Sequence, residues 1–492
     1  MRNPETVLNA LSSHSADSHY KYERLYRILF NEEMFNIAYQ HLAPNPGNMT
    51  PGTDGHTIDQ MSIPRIKNII DSLKDESYQP KPARRVYIRK KNGKLRPLGI
   101  PSFDDKLLQE VVKMILEAIY EGHFEDTSHG FRPYRSCHTA LKQIQNTFTG
   151  AKWFIEGDIK GFFDNIDHEV LINILRERIA DERFLRLIYK FLKAGYIEKA
   201  DYHGTYSGTP QGGTISPVLA NIYLDKFDKY MKEYATNFEK GAKRMTNPKY
   251  KYWADKACRL RRKMRDESDE TQKKTLLEQI NQANEMMLSE PFQMPMDENF
   301  KRLKYVRYAD DFLIGVIGSK RDCQEIKQEI TMYMEERLKL EMSVEKTLIT
   351  HSSDNAKFLG FDVTVRKSQA RKRDKNGNLM RPFGSKVMLN LSSETVKTKL
   401  QSYDAIRFTY DSNGKMRWMP KSRPQLLAQK PEDILAIYNS QIMGFYNYYG
   451  IANNSSSQCS AFAHIMEYSL YMTIGQKLRL SLREVINKYR KD

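Results

Sequence analysis

Apolar residues recur at two spacings along this chain, and the switches between them lay out its elements. Spacings of three and four mark amphipathic helices; alternation or short β-branched runs mark strands. The first 75 residues read as helical. Tyr22, Leu25, Tyr26, Ile28, Leu29 and Phe30 make one apolar face, Phe35, Ile37 and Ala38 begin another, and Ile66 to Leu73 makes a third. Pro44 to Gly55 is a Pro/Gly/Asn/Asp loop. Then Arg84–Lys91 and Lys94–Ile100 form strand-like runs around Asn92-Gly93, a strong hairpin signal. Helical spacing returns over Asp104–Glu121 and Thr139–Phe148. Trp153–Ile159 is an apolar strand with an acid, Asp158, near its end. A helix starts at His168, with Asp167 as its natural cap, and another at Pro217.

The second half repeats the switch. Lys304–Ile314 alternates β-branched and aromatic residues up to Asp310-Asp311, then runs apolar through Val316 and Ile317, which predicts a tight hairpin with both acids at or beside the turn. An amphipathic helix over Lys320–Leu338, a strand over Glu345–Thr350 and a strand pair starting at Lys357–Val365 follow. Arg366–Lys386 carries eight basic residues and one acid around Asn376-Gly377-Asn378 and reads as a boundary. Beyond it the chain opens with Val387-Met388-Leu389 and turns helical and aromatic, notably over Ile437–Gly450. The reading is α+β, in three regions: 1–75; 76–366 with an insertion at 225–300; and 367–492.

Charge adds a partner class. The 492-residue chain carries a formal net charge of +17, an excess that suits a polyanion. The insertion concentrates it: Lys240–Arg265 holds eleven Lys/Arg and one Asp, Asp266–Glu298 nine Asp/Glu and two Lys. A helical hairpin would bring these blocks together. The basic block is either a solvated face or a phosphate-binding surface built on Arg259, Arg261, Arg262, Lys263 and Arg265. No apolar run is long enough to span a bilayer, and Met1-Arg2-Asn3-Pro4 opens no signal core. Four scattered cysteines form no CxxC, which argues against a zinc site or a disulfide framework and for a reducing, intracellular setting.

Candidate chemistry lies at a few points. Adjacent carboxylates such as Asp310 and Asp311 repel, and a divalent metal is their natural partner; alone, the pair equally suits an exposed turn. Asp158 is either a turn aspartate or a third ligand. The Lys/Arg-rich hairpin is a charged edge ribbon or, as the position of Arg96 beside Pro97 and Gly99 favours, a cationic flap over phosphates. Thr209-Pro210-Gln211-Gly212-Gly213 is a Gly/Pro loop whose glycines permit close backbone approach. His129 and His138 have no matching cluster and read as packing or hydrogen-bonding residues. Together, three carboxylates at one sheet end would hold two Mg²⁺ ions for in-line nucleotidyl transfer, with Lys90 and Arg96 neutralising a triphosphate and the Gln211 loop placing the nucleotide. A bulky ring beyond Asp158 would exclude a ribose 2′-hydroxyl.

In this order the motifs Arg96–Pro101, His129–Pro133, Asp158–Asp164, Thr209–Gly213, Tyr308–Asp311, Glu345–Thr347 and Phe358–Gly360 resemble the bacterial group II intron-encoded reverse transcriptases/maturases. The resemblance implies a right-hand polymerase, with fingers and palm followed by a mainly helical thumb or X domain. It implies a metal triad of Asp158, Asp310 and Asp311, dNTP contacts from Lys90 and Arg96, Phe163 as the excluding ring, Gln211 beneath the nucleotide and Lys346 near the primer end. It further implies an intron RNA partner, assistance to splicing, and retrohoming by reverse transcription of an RNA template from a primer at a DNA target, in the bacterial cytoplasm. Many family members continue into a DNA-binding segment and an HNH nuclease with paired cysteines; this chain stops at Asp492 without them, so target cleavage is not expected of it. Two alternatives stand beside this: a reverse transcriptase of retron, diversity-generating or defence type, and a splicing chaperone without polymerase activity.

Overall fold

Local capping explains where the first elements begin. Asn3 accepts from the Glu5 N–H and Pro4 occupies the first turn, starting α1 (Pro4–Ser12). The predicted helical face at 25–30 is a 3₁₀ helix rather than an α-helix. Asn31 turns extended directly after it, because its side chain caps α2 (Glu32–Leu42) instead. α3 spans Ile63–Lys74. α4 (Phe103–Tyr120), capped by Ser102, runs through the centre of the first core, with Leu107, Leu108, Val111, Val112, Ile115, Leu116 and Ile119 fully buried. The computed structural model describes residues 3–89, 93, 95–198, 201–204, 208, 212–294, 296–366, 372–373, 375, 379–380 and 385–489.

Two four-stranded sheets organise the first two-thirds of the chain. In one, β1 (Ala83–Arg89) pairs antiparallel with β2 (Leu95–Ile100), the predicted hairpin, from Arg84↔Ile100 to Arg89↔Leu95. In the other, β3 (Trp153–Asp158) is central. In sequence α5 (Cys137–Thr147) precedes it, and α6 (Phe162–Asn165), α7 (His168–Arg176, capped by Asp167 as expected) and α8 (Glu182–Lys193) follow it. β4 (Tyr196–Glu198) and β5 (Asp201–His203) complete the first sheet in the order β2-β1-β4-β5. α9 (Ser216–Phe238) carries Pro217 in its first turn.

An arm follows α9. α10 (Pro248–Asp266) and α11 (Glu270–Ser289) pack on each other, burying Ala257, Ile280 and Ala283, and single bridges Lys240↔Lys301 and Thr246↔Gln293 close its base. The boundary read at 225 falls inside α9, whose Asp225, Phe227 and Asp228 are buried in the body. The helical hairpin is as expected, but among the described residues no salt bridge joins its two helices. They meet along an apolar seam.

The predicted hairpin at 302–317 is β6 (Arg302–Tyr308) and β7 (Asp311–Ile317), and α12 spans Lys320–Leu338. With β8 (Leu348–His351) they complete the palm sheet in the order β6-β7-β3-β8. Its side-chain alternation feeds two cores. Ile155, Leu303, Tyr305, Phe312, Ile314 and Val316 face the core shared with α4 and α9. Phe154, Val306 and Leu313 face a second core, shared with the C-terminal region. A sheet covered on both faces explains why these strands read as nearly continuous apolar runs.

β9 (Ala356–Phe358), β10 (Phe361–Val365) and, after the short pair β11 (Lys372–Arg373) and β12 (Leu379–Met380), β13 (Val387–Asn390) form the order β13-β10-β9. β10 pairs with β13 across the boundary read at 366, so the two sides share a sheet. The turn signal at 376–378 lies outside the described residues. α13 (Ser393–Ser402), the hairpin β14 (Ile406–Tyr410) and β15 (Met416–Pro420), and α14 (Pro431–Tyr449), α15 (Ser455–Leu478) and α16 (Leu482–Tyr489) complete a mainly helical end. Among the described residues no helix is long and apolar enough to cross a membrane, and all four cysteines are free.

Candidate active site

The palm register brings the acids together. β3 and β7 pair from Trp153↔Val316 to Asp158↔Asp311, so these two carboxylates are direct cross-strand neighbours. Asp310 sits beside them in the two-residue β6–β7 turn. Its turn partner Ala309 has φ +55, a left-handed conformation that costs a non-glycine residue about 1–2 kcal/mol. Phe312 needs the space opposite it: a Cβ on its register partner Gly157 would lie 2.1 Å from the ring.

Three acids this close disfavour common ionisation. Asp311, although its side chain reaches cleft water, is pushed up to about 7, first by the surrounding protein and then by the charges of Asp310 and Asp158. Asp310 is raised too, by burial and then Asp158, against the pull of Lys346 and Arg96. Lys346 Nζ bonds Asp158 Oδ2 at 2.8 Å, which raises the lysine. Lys346 is in a turn, not the strand read from 345: the Ser343 carbonyl accepts from both Lys346 and Thr347 N–H groups, and Ser343 N–H donates to Asp158 O. That turn aims the ammonium at the carboxylate.

Arg96, Phe163, Lys346 and the three aspartates line one cleft of about 750 Å³. Phe163 lies in α6, half-buried, with the Phe131 ring edge-on at 6.3 Å. A second groove of about 370 Å³ leads from Asp158 and Asp311 past Lys357, Leu359 and Gly360, where α14 attaches through Tyr448 Oη to the Leu359 carbonyl at 2.9 Å. Lys90 and Gln211 lie outside the described residues. Gly212 at φ +114 would meet the Gly99 carbonyl at 2.5 Å if it carried a Cβ, so this glycine is seated against β2.

Among the described residues no group of three or more His, Cys, Asp or Glu is arranged as a metal-holding cluster; Asp158 here bonds Lys346 and Asp311. The donor chemistry nonetheless fits a hard divalent cation: carboxylate oxygens only, crowded enough that protons or a metal must offset their charge. The histidines take no part. His129 bonds Thr139 and Gln143, and His138 Nε2 bonds the Tyr448 carbonyl.

Arg259, Arg261, Arg262, Lys263 and Arg265 are exposed on α10, far along the chain from the cleft. Arg261 donates to Asn284 of α11 at 2.8 Å; among the described residues none of the five has a salt bridge. A buried group absent from the sequence reading lies under the β6–β7 turn. Arg307 pairs with Asp228 at 2.5 Å, both side chains fully buried. Only the alternation at 304–308 marks position 307, as an inward-facing strand residue, and an inward-facing arginine needs a counter-charge.

Comparison with known proteins matches this architecture. Residues 88–255 and 275–363 match the reverse transcriptase (RNA-dependent DNA polymerase) family, and residues 380–491 match type II intron maturase. The group II intron-encoded protein LtrA of Lactococcus lactis subsp. cremoris is 44% identical over 498 residues, covering 100% of this chain and 81% of LtrA. The putative COX1/OXI3 intron 1 protein of Saccharomyces cerevisiae is 35% identical over 477 residues, 94% of this chain and 54% of its own length. Protein YkfC of Escherichia coli is 34% identical over 364 residues, 72% of this chain and 86% of its own. Joining a polymerase region to a maturase region, the chain belongs to the group II intron-encoded reverse transcriptase/maturase family, RNA-directed DNA polymerases that also assist intron splicing.

Proposed function

We propose that the 750 Å³ cleft is where this polymerase joins nucleotides, with Asp158, Asp310 and Asp311 holding two Mg²⁺ ions. The observation that carries this is the Asp158↔Asp311 register, which converges three acids beside two cations and an aromatic ring. When bound, the metal lowers the pKa of the primer 3′-hydroxyl and offsets charge on the phosphates. Arg96 reaches the cleft from β2 and attracts the triphosphate. With Asp158 holding metal, the Lys346 ammonium that bonds it in this structure would be free for a phosphate oxygen. Phe163 closes the sugar side, and Gln211 supports the base pair. The 370 Å³ groove between the aspartates and the α14 attachment suits the primer strand.

Extension of a DNA primer on an RNA template tests this. The chain is expected to extend with dNTPs and Mg²⁺, and Phe163→Val to raise ribonucleotide use relative to dNTP by about 10- to 100-fold. Unchanged sugar selectivity in an active Phe163→Val protein removes Phe163 from the nucleotide site.

The family's RNA partner is its intron. We assign part of that interface to the exposed face of α10, an arm helix about 28 Å long at 1.5 Å per residue. Among the described residues its cations make no salt bridge with α11, which leaves their charge for phosphates. Replacing Arg259, Arg261, Arg262, Lys263 and Arg265 by glutamine is expected to weaken intron RNA binding. The slope of log K against log[salt] should become shallower by about 0.7–0.9 for each phosphate that is no longer neutralised. An unchanged slope makes α10 a solvated face. In the same reading the RNA template and a primer at target DNA meet in the palm cleft for retrohoming, and residues 1–75, 76–366 and 367–492 act as N-terminal extension, fingers and palm, and thumb.

A further inference from the structure

A turn holding two repelling acids and a left-handed alanine does not hold itself. The Arg307 guanidinium lies beneath it with all five N–H donors engaged. Nε donates to Asp228 Oδ1 at 2.8 Å and Nη2 to Asp228 Oδ2 at 2.5 Å. Nη2 also donates to Ser128 Oγ at 2.6 Å. Nη1 donates to Asn221 Oδ1 at 3.2 Å and to the Ala309 carbonyl at 2.8 Å. Tyr305 Oη adds a bond to Asp228 Oδ1 at 2.8 Å. Burial acts to lower the Arg307 pKa, and the Asp228 carboxylate more than reverses this, so the cation persists.

The same residue fastens a second loop. Arg307 N–H donates to the Thr127 carbonyl at 2.8 Å, and His129 N–H to the Arg307 carbonyl at 3.0 Å. Asn221 Nδ2 bonds the Gly130 carbonyl at 2.7 Å, and Gly130 packs so closely that a Cβ would lie 2.4 Å from the Ala309 nitrogen. The next residue is Phe131, whose ring meets Phe163. The β6–β7 turn and the loop that carries Phe131 thus share one buried support.

A buried ion pair is a poor way to gain stability, because desolvation takes back most of the attraction. A rigid guanidinium fork is, however, a good way to fix several acceptors in one plane. We propose that Arg307 is the positioning residue of the catalytic turn: with Asp228 as its fixed counter-charge, it holds the Ala309 carbonyl and keeps Asp310 and Asp311 aligned with Asp158. Arg307 touches no substrate. The proposal rests on those aspartates being catalytic.

The test uses the full chain on a primed RNA template with Mg²⁺. Arg307→Lys keeps the buried charge but lacks the fork that spans Asp228 and Ala309. It is expected to lower kcat by about 10- to 100-fold, raise the Mg²⁺ needed for half-maximal rate, and leave KM for dNTP within about threefold. The double variant Arg307→Met/Asp228→Leu replaces the pair by apolar groups. Its melting temperature is expected to return to near wild type while kcat stays low. A pair that only stabilises the fold predicts that kcat recovers with melting temperature in the double variant; that result, or wild-type kcat in Arg307→Lys, overturns the proposal. Asp310→Ala separates the two levels. If it extends primers normally, the reading of the aspartates has failed; if it is inactive while the Arg307 variants are fully active, only the positioning role has.

Discussion

Asp310→Ala is expected to lower primer extension by at least about 10³-fold, some 4 kcal/mol of transition-state stabilisation, while leaving intron RNA affinity and splicing assistance unchanged. The proposed metal-holding role of that carboxylate accounts for the first effect. The second follows from the proposed separation of roles: the RNA-facing cations lie on α10, and Asp310 lies in the β6–β7 turn. Stability should rise slightly without divalent metal. Asp311 titrates near 7 in the folded chain, above its ordinary carboxylate value, so the folded state binds the extra proton. Its contribution is intact at acid pH and is lost as pH rises from about 4 through 7. Removing the Asp310 charge relieves part of that loss, discounted by cleft water, and the variant should melt higher than wild type at pH 8 in chelator. Normal extension, or splicing lost together with extension in a folded protein, would sink this account.

Gly157→Ala is the second large effect, and it acts through packing. The added methyl would sit 2.1–2.5 Å from three atoms of the Phe312 ring. That ring is 1% exposed and lies against Phe227 at 5.1 Å and Tyr305 at 6.0 Å, so it cannot swing away. Overpacking of this kind costs about 1–3 kcal/mol and is expected to lower the melting temperature. The strain falls one register step from the acids, since Gly157 precedes Asp158 and Phe312 follows Asp311 in the paired strands. Extension should therefore drop further than the loss of folded protein explains. Phe312→Leu in the same chain should recover much of both. Wild-type melting and activity in Gly157→Ala would show that the β3–β7 spacing is slack.

What can be read from residues alone depends on sequence distance. The β6–β7 hairpin, α12, the β1–β2 ribbon and the Asp167 cap are local patterns, and each forms where the pattern lies. Asp158 is readable as a strand-end acid, although its pairing with Asp311 spans more than 150 residues, because the chemistry of a carboxylate set supplies the link. Arg307 and Asp228 lack such a link. Asp228 falls within a segment that charge alone marks as an insertion, and only the course of α9 shows it facing the palm. Lys346 reads as strand because Thr347-Leu348-Ile349-Thr350 is β-prone; the bonds to the Ser343 carbonyl that turn the chain there are backbone bonds, which leave no mark in side-chain pattern. The unpaired charges of α10 are hidden similarly, since adjacent basic and acidic blocks suggest neutralisation and the apolar seam does not provide it.

At the base of the arm, Lys240 and Lys301 exchange backbone hydrogen bonds, Lys240 N–H to Lys301 O at 3.1 Å and Lys301 N–H to Lys240 O at 3.2 Å. The sixty residues between them therefore leave and re-enter the palm at a single point. Topologically the arm is a side branch: the path from α9 to β6 closes on itself whatever hangs from it. Such a junction lets the arm lengthen or change charge while the register of the acids stays as it is. On the proposed reading of α10, the RNA-facing surface can change while the chemistry of the cleft does not.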